Sequence, residues 1–228
     1  MSEHVSKIFA EVSDSYDMVN SVSSLGVIIL WRLAAAKEAM IEKKKYALLD
    51  IATGTGDLAF EISKKANAMH KNISITGMDF SPNMLKVAKN KEKKRDAGIK
   101  FELGDAMKLK YKDNSFDVVT SSFALRNVDD LNKFASEAKR VLKKNGKLVV
   151  LDISKPEKGN GKILFYVYIA YMSVLGAFTG KKLYKWLPGS TSTFSREEFI
   201  GILEKNRFRN IRIHEFFFGI SYIISCNK

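Results

Sequence analysis

The chain has one cysteine, Cys226, in 228 residues. A lone cysteine excludes an internal disulfide framework and suits a reducing compartment. The three histidines, His4, His70 and His214, show none of the spacings by which side chains grip a metal, so no metal ligand set is expected. Long apolar runs are scarce as well. The stretch Ile163 to Phe178 carries no charge, but its sixteen residues fall short of the roughly 20 that span a bilayer. The opening MSEHVSKIFAEVSDSYD is interrupted by acidic residues and lacks a signal-peptide apolar core. Export is therefore not expected, and the protein is expected to be cytoplasmic. No internal repeat or low-complexity linker breaks the chain, and its length suits one large α/β domain.

Positive charge is what the chain has in excess, with a net value of +13. Lysine and arginine gather at Lys43 to Lys45, from Lys86 to Arg95, at Lys139 to Lys147 and around Lys181 to Lys185. A solvated surface, nucleic-acid binding and contact with anionic lipid all produce such a balance. No nucleic-acid motif accompanies the charge, so no nucleic-acid partner is expected.

The chain is organised around YALLDIATGTGDLA, residues 46–59. A short apolar run there reads as a buried parallel strand; it stops at Thr53-Gly54-Thr55-Gly56 and gives way to helical spacing at Leu58, Ala59 and Ile62. Strand, glycine turn and helix build a nucleotide-binding crevice, in which the backbone passes close to a ligand and helix N–H groups point at it. Glycine turns of this kind also occur with no ligand. A second strand, Ile73 to Met78, ends at Asp79, about two dozen residues past the first glycine and placed to accept from ribose hydroxyls. Ser81 and Pro82 then open a helix as N-cap and first residue.

A third strand, Ile99 to Leu103, leads into Gly104-Asp105-Ala106. A fourth, Phe116 to Ser122, opens into Phe123-Ala124-Leu125-Arg126-Asn127. Both endings lie where ligands of open α/β sheets bind, although a salt bridge and a helix cap would equally account for Arg126 and Asn127. A helix from Asp130 to Leu142 is expected to end in a C-cap at Lys143 to Gly146, followed by a strand from Lys147 to Ile153. Residues 1–40 read as helical, with Ile8, Phe9, Val12, Tyr16 and Val19 at helical spacing and a second apolar run from Val27 to Met40. The polar patch 13–21 between them is either a cap-and-turn or a lid. Ile163 to Phe178 reads as a helix of an inserted cap, apolar enough for the core, for an oily substrate or for a membrane surface. Ser195 and Glu198 form a capping box, and two final antiparallel strands are expected over 210–217 and 220–225.

LDIATGTGDLA, GMDFSPNML, GDAMKLKYKDNSFDVV and EAKRVLKKNGKLVVLDISKP together resemble the class I S-adenosylmethionine-dependent methyltransferases. SSFALRNVDDLNKF and the early VSDSYDMVNSVSSLG resemble, more narrowly, the ubiquinone/menaquinone biosynthesis C-methyltransferase family. The likeness runs from about residue 5 to 158 and is weaker around LYKWLPGSTSTFSREEF. Ala124 stands where that family usually has glycine, Ser195 where it has proline and Asp152 where it has glutamate.

The resemblance implies an α/β, Rossmann-like fold. Its mostly parallel seven-stranded sheet would carry helices on both faces, with N-terminal helices and an apolar helical insertion. One domain would divide into an N-terminal helical lid (1–45), a cofactor core (46–158), the insertion (159–194) and a C-terminal helix and strands (195–228). Gly54, Thr55 and Gly56 would cradle the amino-acid end of S-adenosylmethionine. Asp79 would hold the ribose, Asp105 and Ala106 the adenine, and Ser122 would line the same pocket. Tyr16, Arg126 and Asn127 would face the acceptor, a prenylated quinol. Peripheral contact with an anionic membrane is compatible with the basic surface, and a homodimer stays open. The competing readings are methylation of another acceptor (a soluble phenol, a sterol or an RNA base), a nicotinamide-dependent oxidoreductase, and a non-catalytic lipid-surface protein. Asp105, and Ala59 in place of a third glycine, disfavour the oxidoreductase.

Overall fold

The computed structural model describes residues 26–156, 160–179 and 195–228. Expectations for the N-terminal 25 residues, Tyr16 among them, and for the region 180–194 lie outside the described residues. Helix α1 (Ile28–Glu38) precedes strand β1 (Lys45–Ile51), α2 (Asp57–Ala68), β2 (Asn72–Asp79), α3 (Pro82–Arg95) and β3 (Lys100–Leu103). Strand β4 (Phe116–Ser122), a 3-10 turn (Leu125–Asn127), α4 (Leu131–Val141) and β5 (Leu142–Ile153) follow. The chain ends with α5 (Asn160–Thr179), α6 (Arg196–Lys205), β6 (Arg209–Phe216), a second 3-10 turn (Phe217–Gly219) and β7 (Ser221–Asn227).

The seven strands form one sheet in the order β3-β2-β1-β4-β5-β7-β6. β1 to β5 are parallel to their neighbours, and β7 enters antiparallel between β5 and β6. The order reverses at β1, with β2 on one side and β4 on the other, which opens a crevice beyond their carboxyl ends. Alternate residues of the central strands feed two separate cores. Leu48, Val118, Val149 and Leu151 pack with α1 and α2 on one face; Leu49, Val119, Leu148 and Val150 pack with α4 and α6 on the other. Burial on both faces explains the near-continuous apolar runs of β1, β4 and β5.

The helix starts follow their caps. Ser81 Oγ accepts from Met84 N, Asp130 from Lys133 N and Ser195 from Glu198 N. The end of α4 departs from expectation. No separate C-cap loop follows it: α4 passes directly into β5, and Lys143 to Gly146 form an irregularity inside that strand. Phe116 faces Leu142 and Val118 already faces Lys147, so the extra residues bulge out. Asp117 explains the bulge. Its carboxylate accepts from Lys143 (2.7 Å), Lys43 (2.6 Å) and Ala47 N (3.1 Å). Burial works against ionisation, but those partners overcome it and hold the carboxyl down at about 2. The lysine expected to complement a helix dipole instead fastens two strands and the β1 approach together.

Candidate active site

The crevice at the carboxyl ends of β1, β2 and β4 holds a cavity of about 260 Å³. Gly54, Asp79, Asp105, Ala106, Ser122 and Asn127 all line it. These residues come from four separate segments, and the parallel topology brings them to one edge. Thr55 and Gly56 do not line the cavity themselves but carry the glycine turn on from Gly54 into α2. Thr55 is buried, and Gly56 has φ +85° at the start of α2. A Cβ on Gly56 would stand 2.8 Å from the Phe101 ring and 3.0 Å from that of Phe60, so only glycine lets α2 pack this closely on the sheet.

Asp79 organises the floor. Its Oδ2 accepts from Gly54 N (2.8 Å), tying the glycine turn to β2, and its Oδ1 accepts from Ser81 N (2.8 Å). Each oxygen keeps lone-pair capacity for a hydroxyl. Burial pushes this carboxyl up to about 6, against the lowering effect of those N–H donors. Behind it, burial likewise pushes Asp50 up to about 6, opposed by the hydroxyls of Thr120 (2.6 Å) and Thr53 (2.6 Å). Asp105 Oδ1 accepts from Met107 N (2.9 Å), which shapes the next loop. At the helix start, Asp57 pairs with Arg32 (2.8 Å) and Lys91 (2.7 Å), joining α1, α2 and α3.

Arg126 and Asn127 are adjacent in the chain but lie in different environments. Asn127 lines the cavity, and its Oδ1 is buried with no hydrogen-bond partner among the described residues. A buried acceptor left unmet costs about 1–3 kcal/mol, a cost that a donor entering the cavity would remove. Arg126, expected to face the acceptor, is turned into the protein. Its side chain is 4% exposed and its Nη1 pairs with Asp152 at 2.9 Å. The salt-bridge reading is the one its contacts match.

Asp152 and two non-glycine residues of left-handed backbone were missed as site-forming groups. Asp152 is fully buried and accepts from Leu125 N (2.9 Å), Arg126 Nη1 (2.9 Å) and Ile153 N (2.8 Å). Burial raises its carboxyl pKa, opposed by the Arg126 charge and the backbone donors. It thereby fixes the 125–127 turn from behind. Ala52 (φ 55°) and Phe123 (φ 54°) both line the cavity. Backbone strain of this sort gathers where a site demands a fixed shape, and only the position just after strands β1 and β4 could have signalled it in the sequence.

The groups around the cavity fit an adenosyl cofactor. Asp79 offers hydroxyl acceptors, Gly54 leaves open space where a Cβ would stand, and apolar side chains such as Met78 and Met84 complete the lining. Similar proteins agree with that chemistry. Residues 1–228 match the ubiE/COQ5 methyltransferase family. The chain is 36% identical over 220 residues to a demethylmenaquinone methyltransferase of Deinococcus radiodurans, covering 95% of this chain and 89% of that protein. It is also 36% identical over 228 residues to the ubiquinone/menaquinone biosynthesis C-methyltransferase UbiE of Citrifermentans bemidjiense, covering 97% and 94%. Among solved structures, a Bacillus halodurans methyltransferase superposes with TM-score 0.59 at 26% identity, covering 81% of this chain and 71% of that one. A SAM-dependent methyltransferase from Aquifex aeolicus gives 0.62 at 20% identity, covering 86% and 88%, a likeness of fold. The chain belongs to the ubiE/COQ5 methyltransferase family, and it is a methyltransferase.

Proposed function

We propose that this enzyme methylates a ring carbon of a reduced, demethylated prenyl quinol in menaquinone or ubiquinone biosynthesis, the chemistry for which its curated relatives are named. The observation that carries the reading is the unmet Asn127 Oδ1 in the wall of the same cavity as Asp79 and Asp105. S-adenosylmethionine, the enzyme's cofactor, supplies an already activated sulfonium methyl when bound. What remains for the protein is to align the nucleophile and exclude water.

Asp79 would hold the ribose hydroxyls, Asp105 and Ala106 the adenine, and Gly54, Thr55 and Gly56 the amino-acid end, with Ser122 lining the pocket between them. Asn127 would accept a hydrogen bond from the ring hydroxyl and fix the ring over the cofactor side of the cavity. Loss of the hydroxyl proton to water makes the adjacent ring carbon nucleophilic, and once that carbon carries the methyl its own proton is lost to water, which restores the aromatic quinol. Tyr16 would face the same acceptor from the N-terminal segment. Arg126 acts as a positioning residue, with Asp152, by holding the turn that carries Asn127. On this reading 46–158 is the cofactor core, 1–45 its lid, 159–194 the cover for the prenyl tail and 195–228 the closing helix and strands. Contact with a membrane, where such a tail resides, belongs to the same proposal.

The test is transfer of labelled methyl to reduced demethylated benzoquinols and naphthoquinols, with soluble phenols and RNA as controls. Label in the quinol supports the proposal. Label only in a control would leave a methyltransferase for another acceptor. Asn127→Ala is expected to lower kcat and spare cofactor affinity measured by calorimetry.

A further inference from the structure

Among the described residues, nine of the thirteen exposed large apolar side chains fall in three segments: α1, the first part of α5 and the 217–219 turn. They form one surface. The Trp31 ring meets that of Phe217 edge-on at 5.9 Å. At the start of α5 a Cβ on Gly161 would stand 2.2 Å from the Phe218 carbonyl oxygen, so helix and turn are in direct contact there. The turn precedes Ser221, which faces Ile153 at the carboxyl end of β5, so this surface lies at the sheet edge that also holds the cavity.

From this we infer that the face built by Leu30, Leu33, Ile163, Val167, Phe217 and Phe218 is a docking surface for an anionic lipid bilayer. Three observations select that occupant. Leu30, Ile163, Val167 and Phe218 are each 60–67% exposed, and apolar groups in such a cluster gain by entering the acyl boundary. Charge is the second. The protein carries +13 overall; Lys162 is exposed beside Ile163, and Lys155 Nζ stands 5.3 Å from the Tyr166 ring centre. The bordering acids already hold cations: Asp57 pairs with Arg32 and Lys91, and Glu215 with Arg196. The rim therefore favours negative headgroups. Backbone conformation is the third. Phe217 (φ 49°) and Phe218 (φ 55°) both sit in the left-handed region, a cost for bulky side chains that keeps the rings at the surface rather than in the core. No helix among the described residues is long and apolar enough to cross a membrane, so the contact is a surface one.

Such docking gives a surface to the membrane contact of the proposed function and rests on that reading. Co-sedimentation with vesicles tests it without quinol or turnover, so its failure leaves the methyl-transfer result standing. The protein is expected to sediment with vesicles of phosphatidylcholine and phosphatidylglycerol, less with phosphatidylcholine alone, and less again at high salt. Phe218→Gly is the decisive variant: glycine relieves the left-handed strain, so thermal stability should hold or rise while vesicle affinity falls about tenfold. Met69→Ser with Leu103→Ser, exposed apolar residues elsewhere, should leave binding unchanged. Failure of the unaltered protein to bind anionic vesicles would overturn the inference, as would unchanged binding by Phe218→Gly or equal loss in the control. A dimer in sedimentation velocity that Phe218→Gly dissociates would also overturn it, by making this face a subunit interface.

Discussion

Replacing Asp152 tests how the acceptor side of the site is held. Its carboxylate is fully buried and receives three donors, two backbone N–H groups and Arg126 Nη1, all at 2.8–2.9 Å. Asp152→Ala removes those acceptors and leaves Arg126, its side chain 4% exposed, without its carboxylate. Breaking a buried pair from one side costs about 3–5 kcal/mol, a large part of the roughly 5–15 kcal/mol that stabilises a domain. Asp152→Asn keeps one acceptor oxygen and should cost less, about 1–3 kcal/mol, the difference between charged and neutral hydrogen bonds. Arg126→Met with Asp152→Leu removes both charges together and should recover most of the loss. Urea unfolding of the four proteins measures this, with cofactor affinity and methyl transfer read in parallel. Turnover in Asp152→Asn should fall more than cofactor affinity, because the turn carrying Asn127 loosens while Asp79 and the glycine turn stay in place. A loss below about 1 kcal/mol in Asp152→Ala would refute the argument, as would a double variant no more stable than Asp152→Ala.

Asp79 makes two opposite pH predictions. Its folded pKa, like that of Asp50, is raised to about 6 from 3.8, so the fold gains stability below about pH 4 that is lost as pH rises through about 6, on the order of 2–3 kcal/mol per group. The cofactor-free protein should therefore melt lower at pH 7.5 than at pH 5, and less so in Asp79→Asn. Cofactor affinity should run the other way, weakening as pH falls through about 6, because the ionised carboxylate is the better hydroxyl acceptor; Asp79→Ala should weaken it strongly by calorimetry at pH 7.5. Gly56→Ala places a methyl 2.8 Å from the Phe101 ring at φ +85° and should cost about 1–3 kcal/mol in urea unfolding. Cys226 is buried in β7 and its thiol is pushed up to about 12 by burial, so alkylation by iodoacetamide should proceed only as fast as the protein opens.

Much of the fold is legible because its causes are local. The glycine turn after a doubly buried strand, the Ser81 and Ser195 caps and the acid ending β2 each follow from a few neighbouring residues. Parallel strands direct their carboxyl ends to one edge, so Asp79, Asp105, Ser122 and Asn127 could be gathered into one site before any coordinates. The partner of Arg126 was not legible in this way. Asp152 lies 26 residues away and meets the arginine only through the register of β4 on β5. The bond from Lys143 to Asp117 depends on that same pairing, which is why an apparent helix end became a strand bulge. Ala52, Phe123, Phe217 and Phe218 hold left-handed backbone that none of them prefers, so residue type gave no sign of it. The apolar face depends on what fails to cover it, and exposure belongs to the assembled surface. Local chemistry thus determined the elements and the edge where the cavity opens; long-range pairing decided which charges line that cavity and which hold its wall.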